Sequence, residues 1–60
     1  MNINLKKARQ KKGLTQVEVA KQANISVISY QRIEYGQQTP KLSTAKLIAQ
    51  ALNSTVEELF

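Results

Sequence analysis

The segment Gln16–Tyr35, QVEVAKQANISVISYQRIEY, has room for two short helices and only three or four residues of turn between them. Thr15-Gln16-Val17-Glu18 reads as a capping box, in which the threonine hydroxyl accepts from the Glu18 amide and Glu18 reaches back to the Thr15 amide. The first helix of the pair therefore starts at Gln16 and carries Val19, Ala20 and Ala23 along one face. It must stop at Asn24, because after glycine asparagine best accepts a positive φ. Ile25 is expected to plug inward. Ser26 caps a second helix that runs to about Tyr35, where Gly36 ends it. Two helices crossing steeply over so short a turn need a small residue at the closest approach, here Ala20, and core anchors on the second helix, here Tyr30 and Ile33. Counted from Ala20, the turn and anchor residues Asn24, Ile25, Tyr30 and Ile33 fall at offsets of four, five, ten and thirteen. A helix pair of this size encloses no substrate. Its second member does fit the major groove of DNA, which is wide enough to admit one α-helix.

The flanking sequence completes an all-α chain of five helices. A first helix is expected over Ile3–Lys12, with Ile3, Leu5 and Ala8 as sparse apolar positions and Gly13 closing a lysine-rich last turn. Gln37-Gln38-Thr39-Pro40 reads as a turn, since Pro40 lacks an amide proton and fits only a helix's first turn. A fourth helix over Leu42–Leu52 carries Ala45, Ile48, Ala49 and Leu52 at helical spacing. Ser54-Thr55-Val56-Glu57 is expected to form a second capping box and to open a short last helix through Leu59. There is no strand pattern, repeat or linker, so residues 1–60 read as a single domain.

Composition narrows the function classes. A chain of 60 residues buries only about 60 % of its unfolded surface. The chain has no cysteine, histidine or aspartate and only four glutamates, so disulfides, thiolate metal sites and the commonest general base are excluded. An enzyme is the least supported reading, and no cofactor, metal or small-molecule substrate is expected. No apolar run approaches the ~20 residues of a membrane span and no signal-peptide pattern opens the chain, so the cytoplasm is the expected compartment. Nine Lys and Arg residues give a net charge of +5 and a pI near 9.9. Lys6, Lys7, Arg9, Lys11 and Lys12 crowd one segment, while the last fourteen residues hold Glu57 and Glu58 and no base. That asymmetry suits a polyanion on one side of the molecule and a different partner on the other.

The stretch LTQVEVAKQANISVISYQRIEYG, followed by TPKLSTAKLIAQALN and STVEELF, resembles the helix-turn-helix domain of the phage repressor/Cro family over nearly the whole chain. The resemblance implies a compact, lambda-repressor-like five-helix domain, usually dimeric, that binds double-stranded operator DNA and regulates transcription, here as a repressor. Two positions depart from the family pattern. Asn24 stands where the family often has glycine, and Tyr30 where it usually has isoleucine or valine. The core must therefore house a ring and find its hydroxyl a partner.

Val27, Ile28, Gln31 and Arg32 share the face opposite Tyr30 and Ile33, and the resemblance implies that these positions meet base edges. Arg32 is suited to donate two parallel hydrogen bonds to guanine O6 and N7, and Gln31 to pair with adenine or a phosphate. Val27 and Ile28 either contact thymine methyl groups, or one of them tucks against the turn as core. Gln16 begins a helix whose free amides and positive dipole end suit a phosphate. Tyr35 and Lys41 match family positions that touch the sugar-phosphate backbone. Arg9 and Glu34 match a family pair that ties the first helix to the reading helix, and an unpaired Glu34 would repel phosphate.

A homodimer is expected, with Val56, Leu59 and Phe60 forming an apolar end remote from the basic helices. Leu59 suits the core, and Phe60 either the dimer contact or a frayed end. A second reading keeps the fold but works through a protein partner, as an antitoxin or a coactivator-like module, and draws on the apolar Val27 and Ile28. Binding to a membrane surface through the first helix is disfavoured by its narrow apolar face and lack of aromatic residues.

Overall fold

Four residues with positive φ punctuate the chain and set its path: Gly13 (73°), Asn24 (63°), Gly36 (79°) and Asn53 (52°). A computed structural model describes residues 1–60 as five helices, α1 (Ile3–Lys12), α2 (Gln16–Gln22), α3 (Val27–Glu34), α4 (Leu42–Ala51) and α5 (Val56–Leu59). The first four end in one way. The amide after the positive-φ residue reaches back five residues, from Leu14 to the Arg9 carbonyl (3.2 Å), Ile25 to Ala20 (3.0 Å), Gln37 to Arg32 (2.8 Å) and Ser54 to Ala49 (2.8 Å). Each closure satisfies carbonyls of the last turn that would otherwise be left without donors. At Asn24 it also turns the chain abruptly and packs Ile25 against the core.

Four of the five helix starts are closed by side chains, that of α4 being the exception. Thr15 Oγ1 accepts from the Glu18 amide at 3.1 Å, and Glu18 Oε1 accepts from the Thr15 amide at 2.9 Å, completing the capping box. The amide bond holds the exposed Glu18 carboxyl below its usual range. Ser26 accepts from the Ser29 amide and so caps α3, but its side chain is exposed rather than turned toward the core. The cap of α5 differs from the sequence expectation by one residue. Thr55, not Ser54, accepts from the Glu58 amide (3.2 Å). The Ser54 amide is already spent closing α4, so Ser54 still belongs to the preceding turn.

One apolar cluster joins all five helices: Leu5 from α1, Val19 and Ala20 from α2 with Ala23 at its end, Tyr30 and Ile33 from α3, Ile48, Ala49 and Leu52 from α4 and its end, and Leu59 from α5. Helix α1, ten residues long, contributes only Leu5, since Ile3 is exposed and Ala8 packs only at the edge. Asn2 compensates by tying α1 to the rest. Its Oδ1 accepts from the Leu5 amide (3.0 Å), its Nδ2 donates to the Leu59 carbonyl (2.7 Å), and its amide donates to the Glu34 carbonyl (2.9 Å). The start of the chain thereby lies so close to the end of α3 that a Cβ on Gly36 would stand 3.2 Å from the Met1 nitrogen.

Candidate nucleic-acid interface

Helix α3 is oriented by what its inner face grips. Tyr30 and Ile33 are buried in the core, and beside them Glu34 carries a carboxylate whose side chain is only 1 % exposed. An isolated charge at that depth is strongly disfavoured. Arg9 answers it with two parallel bonds, Nε to Oε2 and Nη2 to Oε1, both 2.9 Å, while its Nη1 donates to the Leu14 carbonyl at 2.9 Å. Burial alone would raise the Glu34 pKa, but the guanidinium, with the Tyr30 hydroxyl and Gln16 beside it, outweighs burial and holds the carboxyl below its usual range. The same bonds raise Arg9 further above its ordinary value. This is the only ion pair in the molecule, and it fixes the roll of α3 relative to α1.

The Tyr30 hydroxyl differs from what the sequence led us to expect. It lies near enough to Arg9 and Glu34 for both to act on it, yet it meets no protein atom in good hydrogen-bond geometry. Burial first, and then the Glu34 carboxylate, push its pKa well above the ordinary phenol value.

The outer face of α3 is less uniform than the helical spacing implied. Ile28 is 57 % exposed, and Arg32 is exposed with no protein partner for its guanidinium. Val27 does not project freely. It is half-buried, and as the first residue of α3 it packs against the core. Gln31 is also half-buried, and its Nε2 donates to Gln16 Oε1 at 3.1 Å. Gln16 in turn points its Nε2 at Glu34 Oε1, 3.5 Å away. The fold thus joins Arg9, Glu34, Gln16 and Gln31 into one chain of polar contacts, which no local pattern announced. Tyr35 and Lys41 stand apart from it, both exposed, at the end of α3 and the start of α4. Lys41 holds the cap position of α4 but makes no side-chain capping bond, so the first amides of that helix face outward without one.

The basic side chains left unpaired, Lys6, Lys7, Lys11, Lys12, Lys21, Arg32, Lys41 and Lys46, are all at least partly exposed. The larger of two shallow clefts, about 370 Å³, lies between the end of α1 and the α4–α5 turn, and its only carboxylate is Glu58.

A helix ended by a positive-φ asparagine, a sharp turn, and a second helix gripped from within and exposed outside match a known pattern over the whole unit. The phage repressor/Cro-type family described as helix-turn-helix matches residues 5–59. The chain belongs to this helix-turn-helix family. A comparison with curated proteins finds no match. The helix-turn-helix family is one of DNA-binding domains, typically regulators of transcription, and not of enzymes. Within it, α2 and α3 form the helix-turn-helix, and the five helices make a small all-α lambda-repressor-like domain. No helix is long and apolar enough to cross a membrane.

Proposed function

We propose that this chain is a sequence-specific repressor that sets α3 in the major groove of operator DNA. The observation that carries the reading is the division of α3 into an inner flank gripped by Tyr30, Ile33 and Glu34 and an outer flank where Ile28 and Arg32 stand exposed. Arg32 reads guanine through O6 and N7, and Ile28 meets a thymine methyl group, with Val27 at the edge of the contact. Gln16, Tyr35 and Lys41 set the register on the phosphates, Gln16 and Lys41 from the amide-rich starts of α2 and α4.

Two copies place their α3 helices in successive major grooves, about 34 Å apart, on a palindromic site. Phe60, 46 % exposed beside the buried Leu59, supplies the apolar end for that pairing. Residues 1–60 act in this scheme as a single domain, in the cytoplasm, with no cofactor.

Selection of bound sequences from a random duplex pool tests the reading. The selected duplex is expected to bind at least ~1,000-fold more tightly than random DNA at physiological salt. Equal binding of the two would overturn it and favour the alternative, an antitoxin-like or coactivator-like module whose exposed Ile28 docks on a protein.

A further inference from the structure

Two glutamines stand in series behind a buried carboxylate, Gln16 against Glu34 and Gln31 against Gln16. A free carboxamide turns about its last bond and exchanges donor for acceptor, so by itself glutamine does not commit to one base. Here the contact chain is anchored at one end by a group that, when ionised, only accepts. Arg9 keeps Glu34 in that form. The carboxylate must receive an N–H from Gln16, so Gln16 turns its carbonyl toward Gln31. Gln31 must then turn its NH₂ toward Gln16. Its own Oε1 is left facing away from the chain, on the helix that carries Ile28 one turn earlier.

We propose that Glu34 is a positioning residue for base readout: acting through Gln16, it locks the Gln31 carboxamide with Oε1 outward, so that Gln31 selects adenine and rejects guanine. The proposal rests on the major-groove reading above and adds a determinant that never touches DNA, since Glu34 is fully buried. On the major-groove edge, adenine N6 and cytosine N4 donate, whereas guanine O6 and thymine O4 accept. An outward carbonyl suits the first two. Adenine fits better than cytosine, because its N7 accepts the Nε2 hydrogen that Gln31 has not given to Gln16. An unlocked glutamine can flip and donate to guanine, so the lock, and not the residue type, excludes that base.

The test compares sites selected from a random duplex pool by the wild type, Gln31→Ala and Gln16→Met. Gln31→Ala identifies the position concerned, as the one whose preference it erases. There the wild type should prefer adenine over guanine by about tenfold, within the range of one bidentate base contact. Gln16→Met removes both contacts of the relay while leaving Arg9 on Glu34. It should weaken every duplex together, because Gln16 also sits at a phosphate position, and in addition bring the adenine-to-guanine ratio to within about twofold. Uniform weakening with the ratio intact overturns the relay, as does a wild type that favours guanine or thymine at that position.

Side-chain amide NMR on the free protein separates this proposal from the DNA reading. The Gln31 Nε2 protons should exchange slowly and show coupling through the hydrogen bond to the Gln16 carboxamide, and Gln16→Met should abolish both signals. Their absence from the wild type overturns the relay even if a specific duplex is found. Their presence in a protein that selects no duplex upholds the lock and overturns the DNA reading.

Discussion

Replacing Tyr30 by phenylalanine isolates one atom in the middle of the molecule. The ring is fully buried and stays in place, so the change removes only a hydroxyl that makes no well-formed hydrogen bond to the protein, although Glu34 and Arg9 lie near it. A buried polar group without a partner costs about 1–3 kcal/mol. Against that, the missing oxygen leaves a void of about 15–20 Å³, which at about 24 cal/mol per Å³ returns roughly 0.4 kcal/mol. The net expectation is a protein about 1 kcal/mol more stable, a rise in Tm of about 4–8 °C for a domain of this size. Alkaline pH provides an internal check. The folded phenol ionises far above its ordinary value because of burial and the Glu34 carboxylate, whereas the unfolded one ionises from about pH 10. With the folded pKa raised, the contribution is intact below pH 10 and is lost as pH climbs past it, by about 1.4 kcal/mol per unit until the folded group also titrates. Tyr30→Phe lacks that loss, and its neighbours Glu34 and Arg9 stay charged in both proteins between pH 7 and pH 11. Thermal and urea unfolding followed by circular dichroism at pH 7 and pH 11 measures both effects. A variant less stable than the wild type by 1 kcal/mol or more at pH 7 would show that the hydroxyl is bonded in solution, and a stability gap unchanged at pH 11 would refute the account of its ionisation.

Arg9→Met should destabilise by about 3–5 kcal/mol, since it leaves the Glu34 carboxylate buried without its cation. That is comparable to the whole stability of a chain this short, so the measurement needs a stabilising osmolyte. Because Arg9 depresses the Glu34 pKa, the pair's contribution is complete above about pH 4.5 and disappears as pH falls through the lower folded value. The wild type should therefore weaken in acid along a slope that Arg9→Met lacks, and parallel acid titrations of the two would contradict the pairing. Gly13→Ala and Gly36→Ala both place alanine at positive φ, costing about 1 kcal/mol. Only Gly36→Ala also crowds the Met1 nitrogen, so its Tm should fall further, and equal losses would show that Met1 yields freely. Lys41→Ala should weaken all duplexes alike and reduce the salt slope by about 0.9 per subunit, whereas Arg32→Ala should lose about 1–3 kcal/mol of discrimination at one guanine. The reverse pattern would exchange their roles.

What the sequence made legible was local. The Thr15–Glu18 box, the stop at Asn24 and the apolar spacing of α4 each depend on residues within one or two turns of one another, and the structure has them in those places. Asn2 and Asn53 were missed although each carried a usable signal, an asparagine before the first apolar residue of a helix and another just after the last. The α5 cap shows a different limit. Ser54 and Thr55 each have a glutamate three residues on, so both satisfy the capping-box pattern. Only the place where α4 stops decides between them.

The outer face of α3 was least legible, for a physical reason. Periodicity assigns Val27 and Gln31 to one flank, but a flank is open only where no neighbour covers it. Val27 packs against the core, and Gln16 reaches Gln31 from fifteen residues away. Core membership tolerates such errors, because an apolar side chain gains by burial against almost any apolar neighbour. Base recognition does not, since it turns on which end of an amide points outward. On the relay proposed above, that choice belongs to a carboxylate in contact with Gln16, eighteen residues away along the sequence, and to the arginine that keeps it charged. Reading Gln31 therefore starts from the buried charge and works outward, whereas Ile28 and Arg32, which touch no part of that chain of contacts, can be read from the helix alone.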